Sequence, residues 1–414
     1  MQNPFLGFMN NTRKFDCVYL SPETMNKKNI LLLTLVHPDF LPPVYAIAQV
    51  LRDLEYNIHI LTFDSFVPSE SDLGSNITLE TIGNHHSADT FQRMKLRNKF
   101  TKRARKLCSE NQPLAIISFC PFSFICGLSV KKEIPLLYIA LEIADFVLSV
   151  FLKSPLSNYR NLQALNNIKK ADLVATPSIQ RSAWLAGRCH LPFMPYTILN
   201  TACLRSVKEE NNIEVFKELV PAGFLNKKIL LYTGAVNPDQ CTLELVQAFD
   251  MANDEQSVLI ITGIKDNAYC NAITAFAAKS ASAGRIKLFP YLTRAQMLSL
   301  QANAHIGVCL AREDQSNIKS KMMAPNKAGE YLSKNLYLLG VSSEYMRPFE
   351  TNQIATLAEA VTPAAICEAI KTALAAVNNP GYKTRIKQYV QDYFCMEYQL
   401  KPVISFLKDI TKDH

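Results

Sequence analysis

Residues 322–340, MMAPNKAGEYLSKNLYLLG, decide how the rest of the chain is read. Pro325 ends any preceding helix and presets a turn, and the residues after it have the composition of a helix that runs into a Leu-rich strand. The first amide groups of such a helix have no partner within it. They can face an anion with the helix dipole behind them. Lys327 adds a mobile positive charge at that point, and Glu330 sits one turn in, where a carboxylate can accept two hydroxyl protons, as a ribose or sugar diol requires. A plain loop-helix-strand connection with a solvated Lys and Glu is the alternative reading of the same residues.

Outward from this stretch, short apolar runs alternate with longer helical patterns, as in parallel sheets covered by helices. NILLLTLV (29–36) is apolar without a break, the pattern of a strand buried on both faces. It ends in HPDFLPP, which puts His37 and Asp39 at a strand's carboxyl end, where open α/β sheets bind ligands. Residues 46–54 follow as helix. NIHILTF (57–63), LAIISF (114–119), LLYIAL (136–141) and 172–176 supply further strands. With 414 residues the chain exceeds one hydrophobic core, and its 48% hydrophobic and 19% charged content is that of a globular α/β protein. A polar stretch, SVKEENN (206–212), marks a linker between two halves.

Charge is unevenly spread. Residues 1–205 carry 22 Lys and Arg against 15 Asp and Glu, whereas 206–414 carry 22 against 21. Eight of the fourteen residues from Arg93 to Lys106 are basic, and at helical spacing Leu96, Phe100, Ala104 and Leu107 form an apolar stripe opposite them. Three readings stay open for 93–106: a solvated face whose stripe packs on its own domain, a surface for anionic lipid, and a nucleic-acid patch. Nucleic acid ranks last, because no aromatic residue interleaves with the charges on the basic face, Phe100 lying on the apolar stripe. No apolar run reaches eighteen residues, and the N-terminal stretch lacks the apolar core of a secretory signal, so a cytoplasmic protein is expected, with peripheral contact to the inner face of a membrane as an option. Eleven scattered cysteines show neither a C-x-x-C pair nor zinc spacing.

Pro325, Lys327, Glu330, Tyr331 and Gly340 together fit a P-x-K-x-x-E-Y…G segment that resembles the nucleotide-sugar site of family 4 glycosyltransferases. KKILLYTGAVNPDQCTLELVQAF (227–249) is similar to the strand, glycine turn and helix that open the donor domain in that family. VLIITG (258–263) and IKLFPYLTRAQMLSLQANAHIGVCL (286–310) resemble its next elements. In the first half, PLLYIALEIADF (135–146), KKADLVATPSIQRSAWL (169–185) and YTILNTA (196–202) resemble the family's "y-x-x-E", "aDlv-x-x-S-x-x-R" and "v-x-N" units.

The resemblance implies the GT-B fold: two Rossmann-like, doubly wound α/β domains facing a central cleft. It places an acceptor-binding domain at 1–205, a nucleotide-sugar domain at 206–385, and a C-terminal helix at 386–414 that crosses back to the N-terminal domain. It implies a metal-independent, retaining chemistry free of cofactors, with a nucleotide-diphosphate sugar as donor and a saccharide or lipid-linked saccharide as acceptor, in surface polysaccharide or glycolipid biosynthesis. Catalysis is expected of Glu330, Lys327 and Glu142. Donor binding is expected of Gly234, Gly263, Tyr291, Leu292, Arg312, Pro325 and Asn326, and acceptor-side contacts of His37, Asp39 and Arg181. Glu142 reads equally as a helix cap or as a partner for Arg160 or Arg181, and Asp145 lies close to it in sequence.

Departures from the family pattern leave a second reading open, a catalytically impaired GT-B-like protein that binds a nucleotide sugar or a partner enzyme. The acidic residue expected eight positions before Glu330 is Met322, and the nearest upstream glutamate is Glu313, seventeen positions away. Ala235 and Gln240 stand in the regions of the usual Arg and Lys, and Leu141 replaces a His. A nicotinamide-dependent oxidoreductase would need a Gly-rich first turn, and HPDFLPP has no glycine.

Overall fold

The structure, a computed structural model, describes residues 29–64, 74–85, 88–142, 155–204, 213–312, 322 and 324–412. Two parallel sheets organise it. The first contains β1 (Asn29–Leu33), β2 (Asn57–Thr62), β3 (Ile77–Thr81), β4 (Ala115–Ser118), β5 (Leu136–Ile139), β6 (Leu173–Thr176) and β7 (Tyr196–Thr197), in the order β3-β2-β1-β4-β5-β6-β7. Its helices are α1 (Pro42–Asp53), α2 (Thr90–Asn111), α3 (Pro121–Val130), α4 (Pro155–Asn167) and α5 (Ile179–Cys189). The second sheet contains β8 (Lys228–Tyr232), β9 (Ser257–Thr262), β10 (Ile286–Phe289), β11 (Ile306–Cys309), β12 (Tyr337–Val341) and β13 (Ala355–Ala358), in the order β10-β9-β8-β11-β12-β13. Around it lie α6 (Ile213–Leu219), α7 (Thr242–Ala252), α8 (Ala268–Lys279), α9 (Arg294–Asn303), α10 (Asn326–Ser333), α11 (Arg347–Thr351) and α12 (Pro363–Val377). The chain closes with α13 (Gly381–Asp392), α14 (Met396–Gln399) and α15 (Lys401–Lys412).

Every strand pairs in parallel, and in each sheet the order reverses once, between β1 and β4 and between β8 and β11. Crevices for ligands open at such reversals, outside the carboxyl ends of the strands. The unbroken apolar runs are explained by helices on both faces: all six residues of β9 and all four of β11 are buried. The 29–36 run hydrogen-bonds as a strand only through Leu33, after which the chain turns so that residues 34–36 border a crevice.

Helix starts are written locally. Asp89 and Gln92 form a capping box on α2, Thr293 and Gln296 one on α9, and Ser178 accepts from the Arg181 amide at α5. On α2 the stripe packs into its own core, with Phe100, Ala104 and Leu107 almost fully buried. That stripe is therefore not a free lipid-facing surface. Arg103 is held by Glu80, at 2.6 Å, and by Glu110, which removes it from the free basic face.

The chain packs on the first half from Met396 onward. Ile386, Val390 and Phe394 remain in the core of the second sheet because their spacing on α13 faces that core. Met396, Leu400, Val403 and Leu407 join the core of the first sheet. Backbone ties fix the crossing: the Met396 amide donates to Ala202 O at 3.0 Å, Leu199 N to Gln399 Oε1 at 3.1 Å, and Leu204 N to Glu397 Oε1 at 2.9 Å.

One half-buried base makes the second sheet sensitive to acid. His305, just before β11, accepts from the Ile229 amide through Nδ1 at 3.2 Å, and burial, aided by Lys228 and Lys383, lowers its pKa to about 4. The neutral ring is the folded form, so the unfolded chain binds the extra proton first. Stability is thus expected to fall by roughly 2–3 kcal/mol as the pH drops from about 6.5 to about 4. Melting curves across that window should show a smaller slope in His305→Asn, whose side chain can keep the acceptor; an unchanged slope would reject His305 as the source.

Candidate active site

The carboxyl ends of β8, β9 and β11 meet the start of α10 at the reversal point of the second sheet. Gly234 and Gly263 occupy the ends of β8 and β9 with φ of +114° and +97°. A Cβ on Gly263 would overlap the Gly234 carbonyl oxygen, so only glycine lets these two turns nest. Tyr331 of α10 fixes the geometry from behind. Its ring lies so close to Gly307 of β11 that a Cβ there would sit 2.8 Å from the Tyr331 Cβ. The Tyr331 hydroxyl accepts from the Thr233 amide at 2.9 Å and lies 3.0 Å from Thr233 Oγ1, so the β8 end, the glycine turn and α10 move as one piece.

Lys327 lies in the first turn of α10, half-buried. Its Nζ donates to Gln240 Oε1 at 2.9 Å and stands 4.0 Å from the centroid of the Tyr232 ring. Among the described residues it has no carboxylate partner. Desolvation lowers its pKa to about 8, against the opposing pull of the Cys309 and Cys241 thiols. Gln240, which stands where a cation is usual in the resembling family, therefore serves as the acceptor that orients Lys327. Pro325 caps α10 without a side-chain hydrogen bond, and Asn326 follows it half-buried.

Glu330 is turned toward α9. Its carboxylate pairs with Arg294 and accepts from Gln301 Nε2 at 3.3 Å. Arg312 is likewise taken up: its guanidinium pairs with Glu244 of α7, and its amide donates to Asp239 O at 2.7 Å. Tyr291 and Leu292 follow β10, with Lys265 Nζ 5.0 Å from the Tyr291 ring centroid. Lys327, Gly234, Gly263 and Pro325 are thus gathered at one reversal point. Arg294, Gln301 and Thr233 escaped the sequence reading, and Gln240 was read only as the replacement of a usual cation; the only signal for Arg294 was its place just inside the Thr293 cap.

The start of α10 abuts the first half of the chain. Asn200 Nδ2 donates to Ala324 O at 2.9 Å, and Gly329 packs against the Asn200 and Thr201 backbone. Arg181 bridges the halves, with Nε donating to Met322 O at 2.8 Å and Nη1 to Leu141 O at 2.6 Å. Burial lowers its pKa, opposed mainly by Glu142. Arg181 is thus a tie between the halves, not a group reaching into open space.

At the reversal point of the first sheet, a crevice of about 830 Å3, open mouth included, is bordered by residues 34–36, Phe119–Phe122, Leu141 and Glu142, with Arg97 of α2 and Arg160 of α4. Glu142 is exposed at its edge and makes no hydrogen bond or ion pair among the described residues. His37 is not part of that lining. It is buried, caps a short 3-10 turn by accepting from the Asp39 amide at 3.3 Å, and its pKa is lowered by burial against Asp39 and Asp64. Asp145 and Glu313 lie outside the described residues, as does the whole 206–212 stretch. Among the described residues no group of His, Cys, Asp and Glu forms a metal cluster, and no helix is long and apolar enough to cross a membrane.

No protein-family model matches the sequence, and no curated protein matches it. Solved structures do match in shape. A glycosyltransferase from Rickettsia africae ESF-5 superposes with a TM-score of 0.66 at 12% identity, covering 94% of this chain and 100% of its own. Anabaena Alr3699/HepE, solved with UDP and glucose, gives 0.66 at 13% identity over 92% of this chain and 99% of its own. Sucrose-phosphate synthase from Thermosynechococcus elongatus gives 0.66 at 14%, over 94% and 100%. At such identities the likeness carries the architecture: GT-B, two Rossmann-like doubly wound units with a cleft between them and a C-terminal helical segment that crosses back.

Proposed function

We propose that the protein is a glycosyltransferase that moves a sugar, with retention, from a nucleotide-diphosphate donor to a saccharide or lipid-linked saccharide in surface polysaccharide or glycolipid assembly. The observation that carries this reading is Lys327: a desolvated cation without a carboxylate partner among the described residues, set in the first turn of α10 beside two glycine turns at a sheet's reversal point. Breaking the donor's C1–O bond builds negative charge on the leaving diphosphate, and fixed donors aimed at that charge lower the barrier. Lys327 and the first amides of α10 would supply them, with no metal assigned to the step. Gly234 and Gly263 would let backbone approach the donor, and the backbone near Tyr291 and Leu292 would hold the base. HepE, with UDP-glucose bound in its own structure, supports a nucleotide sugar as the donor class.

On the acceptor side, Glu142 is free to bind or deprotonate a hydroxyl at the crevice edge. His37 and Asp39 would act indirectly, by shaping the turn after β1. Glu330 would exchange its Arg294 contact for donor hydroxyls, or hold Arg294 in place. The domain division at about 205 stands as part of the same proposal.

A second reading, a GT-B-like protein that binds a nucleotide sugar or a partner enzyme without turnover, is favoured by the engagement of Glu330 with Arg294 and of Arg312 with Glu244. Turnover separates the two. Slow hydrolysis of a nucleotide sugar, lost in Lys327→Ala and in Glu330→Gln with melting behaviour preserved, is the result expected of the enzyme; tight nucleotide binding with no turnover of any donor would replace it with the second reading.

A peripheral site of action is part of the proposal. The N-terminal corner of α2 exposes Phe91 and Met94, with Lys95 over the Phe91 ring at 4.4 Å and Arg93 and Lys99 alongside. Apolar side chains ringed by cations suit an anionic lipid surface. Co-flotation with phosphatidylglycerol vesicles at low salt, reversed at high salt and reduced in Phe91→Ser, is expected; protein that stays in solution at low salt rejects the contact.

A further inference from the structure

We infer that the crevice at the reversal point of the first sheet is a phosphate-binding subsite, in which Arg97 and Arg160 take a phosphomonoester carried by the acceptor. Its role in transfer rests on the transferase reading above; its binding chemistry does not.

Two guanidinium groups from different helices converge there on one ring. The Arg97 Cζ lies 5.4 Å and the Arg160 Cζ 5.2 Å from the Phe122 ring centroid, and all three residues line the crevice. Among the described residues neither arginine has a carboxylate partner, whereas Arg52, Arg103, Arg294 and Arg312 each have one. Arg160 Nη1 is inaccessible to solvent and makes no hydrogen bond among the described residues. A buried guanidinium donor without an acceptor is costly, and two like charges sharing a small space add repulsion. Both penalties vanish when an anion enters between them.

Position and shape select the anion. Arg97 is steered by its Nε–H donating to His85 Nε2 at 3.1 Å, which leaves the rest of its planar fork for a ligand. A fork of N–H groups matches the paired oxygens of phosphate, and two forks match a dianion better than a single carboxylate. The remaining lining is largely apolar, from Leu35, Val36, Phe119 and Leu141, with the Glu142 carboxylate at the rim. A sugar phosphate would place its phosphate between the arginines and a hydroxyl near Glu142, and so near the donor side. Burial also lowers the Arg160 pKa.

Calorimetry on the full chain tests this, with glucose 6-phosphate as the probe and glucose as its neutral counterpart. For a phosphate presented by a lipid, sedimentation with phosphatidic acid vesicles is compared with phosphatidylcholine vesicles. The expected result is binding of glucose 6-phosphate at least about tenfold tighter than glucose, or selective retention on phosphatidic acid vesicles. Either should weaken about tenfold or more in Arg160→Gln and in Arg97→Gln, and stay unchanged in Arg188→Gln, an exposed charge on α5. The soluble ester and the vesicle arms tell a free sugar phosphate from a lipid headgroup. No preference in either arm, or an equal loss in Arg188→Gln, overturns the subsite. UDP and GDP binding is measured on the same preparations. Nucleotide binding without phosphomonoester binding removes the subsite and spares the transferase; the converse spares the subsite and removes the transferase.

Discussion

Lys327→Met should lower kcat/KM for the donor about a hundredfold or more, the scale set by removing one fixed donor from a developing oxyanion. The loss should carry a pH signature. Desolvation places the Lys327 pKa at about 8, so the cation exists below that pH and is lost above it. Affinity for a nucleoside diphosphate in the wild-type protein should therefore be level to about pH 7 and fall toward tenfold per unit above about pH 8, as the lysine gives up its proton. In Lys327→Met the same titration should be flat. Lys327→Arg should keep part of the affinity and move the decline beyond the accessible range, because a guanidinium stays charged. Calorimetry with UDP and GDP from about pH 6.5 to about pH 9.5 reads all three; a decline above pH 8 that survives in Lys327→Met would assign it to another group.

Gly329→Ala should disrupt the contact between the two halves at the start of α10 while leaving both cores intact. The new Cβ would overlap the Asn200 carbonyl oxygen and approach the Thr201 Cα to 2.9 Å, and both are backbone atoms of the first half that cannot turn aside. The start of α10 must then lift away from Asn200. The 2.9 Å bond from Asn200 to Ala324 O and the Arg181 tie to Met322 O should stretch or break with it. A shift of about 1 Å at a positioned site can cost on the order of a hundredfold in rate. Overpacking of this kind costs about 1–3 kcal/mol in stability. Gly187→Ala is the contrast: nothing lies within 4 Å of its added Cβ, and a helical position gains up to about 1 kcal/mol from alanine. Activity, melting temperature and small-angle scattering on the two variants decide the matter. Wild-type turnover in Gly329→Ala would show that the contact between the halves at α10 plays no part in the reaction.

Much of the first level of organisation was legible in residues alone. NILLLTLV and VLIITG are unbroken apolar runs, and only a strand covered on both faces tolerates that pattern, so the parallel sheets follow from local chemistry. The α2 stripe of Phe100, Ala104 and Leu107 was visible by spacing, but its target was not. Burial in its own core or in lipid uses the same periodicity, and only packing against the first sheet selects between them. The C-terminal crossing shows the same limit. α13 and α15 both carry an apolar face, and nothing in either face names the core it joins.

The site divides along a similar line. Pro325 and the helix start after it declare themselves by backbone restriction, and Gly234 and Gly263 by the need for positive φ. Partnership is another matter, because it depends on residues far apart in sequence. Lys327 was read as a cation for the donor, but its orientation comes from Gln240, 87 residues away. Glu330 was read as open to hydroxyls, yet Arg294 and Gln301 hold it. Arg160 was read only as a possible counterion to Glu142, and the fold leaves it instead beside Arg97, without a carboxylate partner among the described residues. Sequence determined which backbone conformations and which buried faces this chain must have, since those are set by neighbours along it. The tertiary structure alone decided which charges are answered and which stay open, since an ion pair of a few ångströms is made across distances the sequence does not encode.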